Sequence, residues 1–250
     1  MMQYFVMPDP MVFLGSLYTV YALLKILSYL AYYRGVFKQI KAILYSNPIK
    51  VLTGLIVLAL IITSVDLPIA KLCSKYNNKD FYQFIDFTGS IALGWFTAGV
   101  MFTLVLIFEF FKKDNYAIIM KMALMASIYA GLFNGIVKFL FNRERPAIGL
   151  HPYNFFHFFL TRPLDFNNLI YAYNSMPSGH TITITAAMTP IFLYFKNIWI
   201  RFIAVLLVLE VVFSRIYTLN HWSSDTFVAM CLGIVIGSAI YKVNLFRVEN

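Results

Sequence analysis

Residues 198–243 read IWIRFIAVLLVLEVVFSRIYTLNHWSSDTFVAMCLGIVIGSAIYKV: two long apolar runs, Ile198 to Tyr217 and Trp222 to Val243, parted by a few polar residues. Each is close to the roughly 20 residues that carry an α-helix across a hydrocarbon layer about 30 Å thick. Both are too long and too continuously apolar for the alternating strands of an outer-membrane barrel. A helix, by contrast, satisfies its own backbone in lipid. Outward from this pair lie five more such stretches: Ser178 to Phe195, Ala117 to Phe141, Phe87 to Phe111, Pro48 to Ile69 and Pro10 to Tyr33. The fold expected is all-α, a polytopic membrane helical bundle of six core transmembrane helices plus one N-terminal helix. Lys25 falls inside that first stretch, where a central charge costs roughly 2.5–3.5 kcal/mol unless it pairs or snorkels. The N-terminal helix therefore either spans, the favoured alternative, or lies in the interface.

Composition agrees. Of 250 residues, 60% are hydrophobic and 12% charged, against about 45–50% and 25% in a soluble domain. That excludes a soluble globular domain and a disordered chain, and 12 Gly with 9 Pro exclude a collagen-like one. The net charge of +9 comes from 20 Lys and Arg against 11 Asp and Glu. Its clusters lie between apolar runs, so they read as orientation signals and not as a nucleic-acid surface. Arg34, Lys38, Lys41 and Lys50, then Lys112 and Lys113, Lys196 and Arg201, and finally Lys242 and Arg247 all fall on one side if the last six stretches alternate. Putting that side in the cytoplasm turns Cys73–Asp86, Asn142–Pro177 and the Thr218–His221 turn outward. Residues 1–46 are then an N-terminal hydrophobic helix with a basic connector, and residues 47–250 a six-helix core with a long outer loop, 142–177. That loop carries Phe155, Phe156, Phe158 and Phe159 around His157, with Tyr171 and Tyr173. It reads as a partly immersed lid or an interfacial anchor. Cys73 and Cys231 support neither a disulfide framework nor a metal site. No Lys or Arg precedes Lys25, so a cleaved signal peptide with a basic n-region is not expected.

Three segments break the apolar rule on the outward side. Lys138 with Arg145-Pro146 ends the fourth stretch, Pro177-Ser178-Gly179-His180 opens the fifth, and Ser214-Arg215 with His221 and Asp225 bridges the last two. Ionisable groups at membrane depth are functional candidates because each needs a partner. Lys138, Arg145 and Arg215 suit a phosphate, the arginines offering planar forks. Ser178 is placed as a helix N-cap, and Gly179 lets an anion approach the free N–H groups there. His221 and Asp225, four residues apart, share a helix face if the last helix starts there. A carboxylate on one ring nitrogen leaves the other as a nucleophile. His180 supplies a second imidazole to protonate a leaving oxygen.

Lys138-x6-Arg145-Pro146, Pro177-Ser178-Gly179-His180 and Ser214-Arg215-x5-His221-x3-Asp225 resemble, in order, the three signature motifs of type 2 phosphatidic acid phosphatases, with every specified position matched. The resemblance spans Lys138 to Asp225. It implies a six-helix membrane core and lipid-phosphate hydrolysis without a metal or other cofactor. It further implies that His221 attacks phosphorus, Asp225 orients it, and His180 protonates the leaving group and then activates water. Lys138, Arg145, Ser178, Gly179 and Arg215 would hold the phosphate oxygens, while Ser214 and Pro146 shape the site. The implied partners are the bilayer and a membrane lipid phosphate: phosphatidic acid, phosphatidylglycerol phosphate, undecaprenyl diphosphate or the 1-phosphate of lipid A. The implied setting is the inner, cytoplasmic membrane, with the site facing the periplasm or exterior. The motifs rank none of these substrates and leave the oligomeric state open. A phosphotransferase using the same phosphohistidine fits them equally, and a non-enzymatic anion transporter fits the cations but needs neither histidine. Elsewhere, Arg143 and Glu144 match no motif position and read as paired or snorkelling. His151 and His157 read as surface or interface residues, Glu109 as reaching toward Lys112 and Lys113, and Glu210 as a partner for a site cation.

Overall fold

The computed structural model describes residues 21, 23–30, 33, 35–76, 78–156 and 172–248, and among these every regular element is helical. Residues 23–30 form a helical segment. It is followed by α1 (Val36–Tyr45), α2 (Pro48–Leu60), α3 (Asp66–Lys75), α4 (Lys79–Gly89), α5 (Gly94–Phe110), α6 (Asp114–Phe141), α7 (Gly179–Tyr194), α8 (Ile198–Tyr217) and α9 (Ser223–Val248). Three helices are long and apolar enough to cross a membrane: Pro48–Lys75, Asp114–Phe141 and Ser223–Asn244. α4 and α5 make a fourth as a pair bent by 47°. α7 has 16 residues, about 24 Å of helix, and α8 carries Arg201, Glu210 and Arg215. By length and apolarity alone, three unbroken spans and a bent one stand out among the described residues.

Three departures from the sequence reading have local causes. The basic connector is itself a helix, α1, because Val36, Ile40 and Ile43 repeat at helical spacing and turn one face to the core, leaving Lys38 and Lys41 off it. The stretch read as Phe87–Phe111 is broken at Gly89-Ser90, where a single tight turn (Ser90–Ala92) separates α4 from α5. A Gly–Ser pair is a common site of such kinks. Between α2 and α3 the helix widens over Ile61–Val65. Pro68 follows three residues later, lacking the N–H that would bind the Ser64 carbonyl. The widening brings Asp66, 1% exposed, to face the bundle.

Lys25 is paired: its Nζ lies 2.6 Å from Glu109 Oε2, while Lys121 Nζ lies 2.8 Å from Glu109 Oε1. Glu109 therefore joins the N-terminal helical segment to α5 and α6, instead of reaching Lys112 and Lys113. The rest of the N-terminal stretch, and Phe158, Phe159, His157 and Tyr171 of the outer loop, lie outside the described residues.

α7 is the centre of the bundle, packed against α9, α6, α8 and α5, and Thr181 through Met188 are all buried. Its threonines and alanines keep it slim enough for close neighbours, the device by which helices associate in lipid. α9 approaches with Gly233 and Gly237. A Cβ at Gly233 would lie 2.7 Å from Thr185 Cβ and 3.0 Å from the Ile182 carbonyl oxygen; one at Gly237 would lie 2.5 Å from Thr189 Cβ and 2.7 Å from the Ala186 carbonyl oxygen. That Ala186 carbonyl is the one Pro190 cannot serve with a donor. A threonine Cβ, fixed to the α7 backbone, and backbone atoms beside it block the added atom at both glycines. Gly233→Ala and Gly237→Ala should each destabilise the protein by about 1–3 kcal/mol through overpacking, read as a lower thermal midpoint in detergent. An unchanged midpoint in both would refute the close α7–α9 contact.

Candidate active site

The site is assembled where α6, α7, α8 and α9 end or begin on the same side. α6 closes at Asn142, which takes a left-handed conformation (φ 36°) and returns its N–H to the Lys138 carbonyl, as short polar residues do at helix C-termini. The chain then turns back along residues 172–175. Arg145 N–H donates to the Ala172 carbonyl at 2.8 Å, and Ser175 N–H to the Arg143 carbonyl at 3.1 Å. Lys138 and Arg145 are thereby carried to the start of α7.

There Ser178 acts as the expected N-cap, accepting from Thr181 N–H at 3.5 Å and Thr181 Oγ1 at 3.0 Å, with its side chain fully buried. A Cβ on Gly179 would meet Asn134 Nδ2 at 3.2 Å and Lys138 Nζ at 3.8 Å, so the α7 N-terminus and the lysine are immediate neighbours. Arg215, on the last turn of α8, places Nη2 3.0 Å from Asp86 Oδ1 and 2.8 Å from Ser214 Oγ, which itself donates to the Ile85 carbonyl. α4 passes so near that a Cβ at Gly89 would overlap the Ser214 hydroxyl and lie 2.5 Å from Arg215 Nη2.

Lys138, Arg145, His180, Arg215 and His221 line one cavity of about 310 Å³, together with Tyr82, Asp86 and Asn220. Three cations and two imidazoles around such a volume can hold a phosphate and offer it both a nucleophile and a proton donor. Among the described residues, no three His, Cys, Asp or Glu side chains cluster as a metal site.

His221 is not on α9 but in the turn before it, two residues ahead of Ser223. Its Nδ1 lies 2.7 Å from the Ser175 carbonyl oxygen and 3.8 Å from Asp225 Oδ2. A carbonyl only accepts, so Nδ1 carries the ring proton and Nε2 keeps its lone pair. Burial pushes the imidazole down to about 3, with Arg145 and Lys138 adding to the shift and Asp225 opposing it. The ring is thus neutral at neutral pH. Asp225 is one step removed: its Oδ2 accepts from Ser175 Oγ at 2.5 Å and from Trp222 N–H at 2.8 Å. The second is the reach-back of a carboxylate in a helix's first turn to the cap N–H.

Sequence reasoning did not select Asp66, Ser175, Gly89, Asp86, Tyr82 or Asn220. Asp66 and Asp86 carried a signal, being carboxylates within or beside apolar runs. Arg143 is fully buried and paired, with Nη2 2.8 Å from Asp66 Oδ2 and Nη1 2.5 Å from Asp225 Oδ1. Glu144 is 5% exposed, accepts from Asn154 Nδ2, and lies 3.8 Å from the exposed His151. Glu210 forms no ion pair among the described residues; its buried Oε1 has no hydrogen-bond partner there.

The model of the PAP2 superfamily matches residues 117–249. The chain belongs to the PAP2 superfamily. Membership supports a phosphatase, and the match covers α7, α8, α9 and nearly all of α6. Among solved structures, the PAP2 chain is similar to the crystal structure of Aquifex aeolicus LpxE, with a TM-score of 0.52 and 22% identity over 72% of this chain and 96% of that one. That likeness concerns the fold. A comparison with curated proteins finds no match.

Two outcomes follow from the geometry. Gly89→Ala should displace Ser214 and Arg215 and raise the concentration of phosphate or vanadate needed to inhibit the protein by roughly tenfold, the weight of one charged hydrogen bond of about 1.4 kcal/mol; unchanged inhibition would place Arg215 outside the binding site. In ¹⁵N-histidine NMR, the resonances lost in His221→Ala should be those of a neutral ring protonated at Nδ1 from pH 8 down to about 5, because its pKa is held below that range. Titration of those resonances near pH 6.5 would contradict the buried, cation-flanked ring.

Proposed function

We propose that this protein is an integral membrane lipid phosphatase that works through a phosphohistidine, with residues Lys138, Arg145 and Arg215 and the α7 N-terminus at Ser178 and Gly179 holding the phosphate. The observation that carries the reading is the state of His221: neutral, Nδ1–H held on the Ser175 carbonyl, and lining a cavity with three cations.

In the first step Nε2 of His221 attacks phosphorus, the bond to the lipid oxygen breaks, and His180, protonated once the substrate's negative charge offsets the three cations around it, gives that oxygen its proton. The second step reverses the polarity. Neutral His180 takes a proton from water, the oxygen attacks phosphorus, the P–N bond breaks, and inorganic phosphate leaves with His221 neutral again. Preset cations facing the spread charge of the transferring group are the main source of rate in such chemistry. No step draws on a metal. Asp225 keeps the parts in register from behind.

The basic clusters and the one-sided site fit a core of six membrane helices, with the N-terminal helix as a seventh span. They also fit a cytoplasmic location for the clusters and an active site on the outer face of the cytoplasmic membrane. A lipid then reaches the cavity from the bilayer while its phosphate sits at the level of the headgroups.

Phosphate release from the detergent-purified protein, with chelator present, tests this across phosphatidic acid, phosphatidylglycerol phosphate, undecaprenyl diphosphate and lipid A 1-phosphate. At least one should be hydrolysed, and His221→Ala should lose about 10³-fold or more of that rate. Equal rates in the two proteins, or release that stops with the chelator, would defeat the mechanism.

A further inference from the structure

Arg143 lies outside the cavity, yet it is the most completely engaged cation described. Its Nη1 donates to Asp225 Oδ1 at 2.5 Å and Ser224 Oγ at 2.6 Å, and its Nη2 to Asp66 Oδ2 at 2.8 Å and the Pro152 carbonyl at 2.7 Å. Its Nε also reaches the Pro152 carbonyl, and the guanidinium stacks 4.5 Å from the Phe155 ring and 5.2 Å from that of Trp222. Asp66 is equally enclosed, accepting from Ser224 N–H at 2.9 Å and Ser224 Oγ at 2.6 Å. A buried ion cluster of this kind adds little net stability over an apolar replacement. What it does is fix positions.

The positions it fixes are those around the nucleophile. Asp225 lies 3.8 Å from His221 Nδ1, too far for a hydrogen bond. Instead it grips the residue that supplies the ring's acceptor, Ser175, and the residue next to the histidine in the chain, Trp222. Arg143 holds Ser175 twice, through Asp225 and through its own main-chain carbonyl, which accepts Ser175 N–H. Resting on the reading of His221 as the nucleophile, we infer that Arg143, Asp66 and Ser175 are positioning residues that set the tautomer and aim of His221, with Asp225 acting through the Ser175 carbonyl and not on the ring directly.

The test measures kcat, KM and thermal midpoint for Ser175→Ala, Asp66→Asn, Arg143→Lys, Arg143→Met, Asp225→Asn and the double variant Arg143→Met/Asp225→Asn, beside His221→Ala. Ser175→Ala and Arg143→Lys should lower kcat by about 10- to 100-fold with KM unchanged, as small misplacements of a reacting group do, and the ¹⁵N signals of His221 should show a mixture of tautomers. Adding Arg143→Met to Asp225→Asn should cost no further kcat, because both act on one geometry. Wild-type kcat in Ser175→Ala and Arg143→Lys, losses that multiply in the double variant, or a loss carried by KM would each overturn the inference. If Arg143→Met does not fold, Ser175→Ala and Arg143→Lys decide alone. Activity retained in His221→Ala would sink the phosphohistidine reading itself; an inert His221→Ala beside fully active positioning variants sinks only this one.

Discussion

A guanidinium with no access to water ties together the end of the bundle that carries the cavity. Arg143 joins the bundle's early helices through Asp66, its last helix through Asp225 and Ser224, and the loop after α6 through Pro152. A charge left alone in such a place is costly, so each of its carboxylates has to be delivered by its own segment. The widened turn before Asp66 and the start of α9 at Ser223 deliver the carboxylates, and the left-handed Asn142 delivers Arg143 itself. The same two carboxylates cap α9, Asp66 on Ser224 N–H and Asp225 on Trp222 N–H, so a helix N-terminus supplies further positive partners for them.

The cavity is built on a different economy of charge. Lys138, Arg145 and Arg215 face a common space, and only Asp86 among the lining residues is acidic. The excess of cations there suits an anion, whereas the cluster of Arg143, Asp66 and Asp225 is internally matched. His221 stands on the boundary: its Nδ1 side belongs to the matched network, and its ring lines the cavity. Neutrality of that ring follows from the same division, since burial and two facing cations oppose a further positive charge.

The motif residues were legible because their chemistry is specific and their spacing fixed by helix ends. Lys138, Arg145, His180, Arg215 and His221, singled out from the motifs, line one cavity. The apolar runs likewise anticipated α6, α7, α8 and α9 to within a few residues. What the sequence hid was long-range. Asp66 lies within the apolar run Pro48–Ile69 and meets Arg143 only through the tertiary fold, 77 positions away. The rule that a charge in such a run needs a partner could have flagged it, but not named the partner. Ser175 contributes a main-chain carbonyl, which no side-chain pattern encodes. Gly89 matters because of what passes beside it, and the Gly233–Gly237 pair because of which helix it meets. Glu109 was expected to find the nearest lysines; helix packing offered it Lys25 and Lys121 instead.

The helix Pro48–Leu60 has no buried residue, although it leads into the segment that carries Asp66. Among the described residues none buries its side chains, which are apolar enough to suit hydrocarbon. Two neighbouring stretches of one helix long and apolar enough to cross a membrane therefore live under opposite rules of tolerance. Before the widened turn, one aliphatic side chain serves as well as another and the sequence can drift freely in kind while staying apolar. Just after it, a single carboxylate answers to Arg143 and Ser224, and a change there leaves their buried polar groups without it.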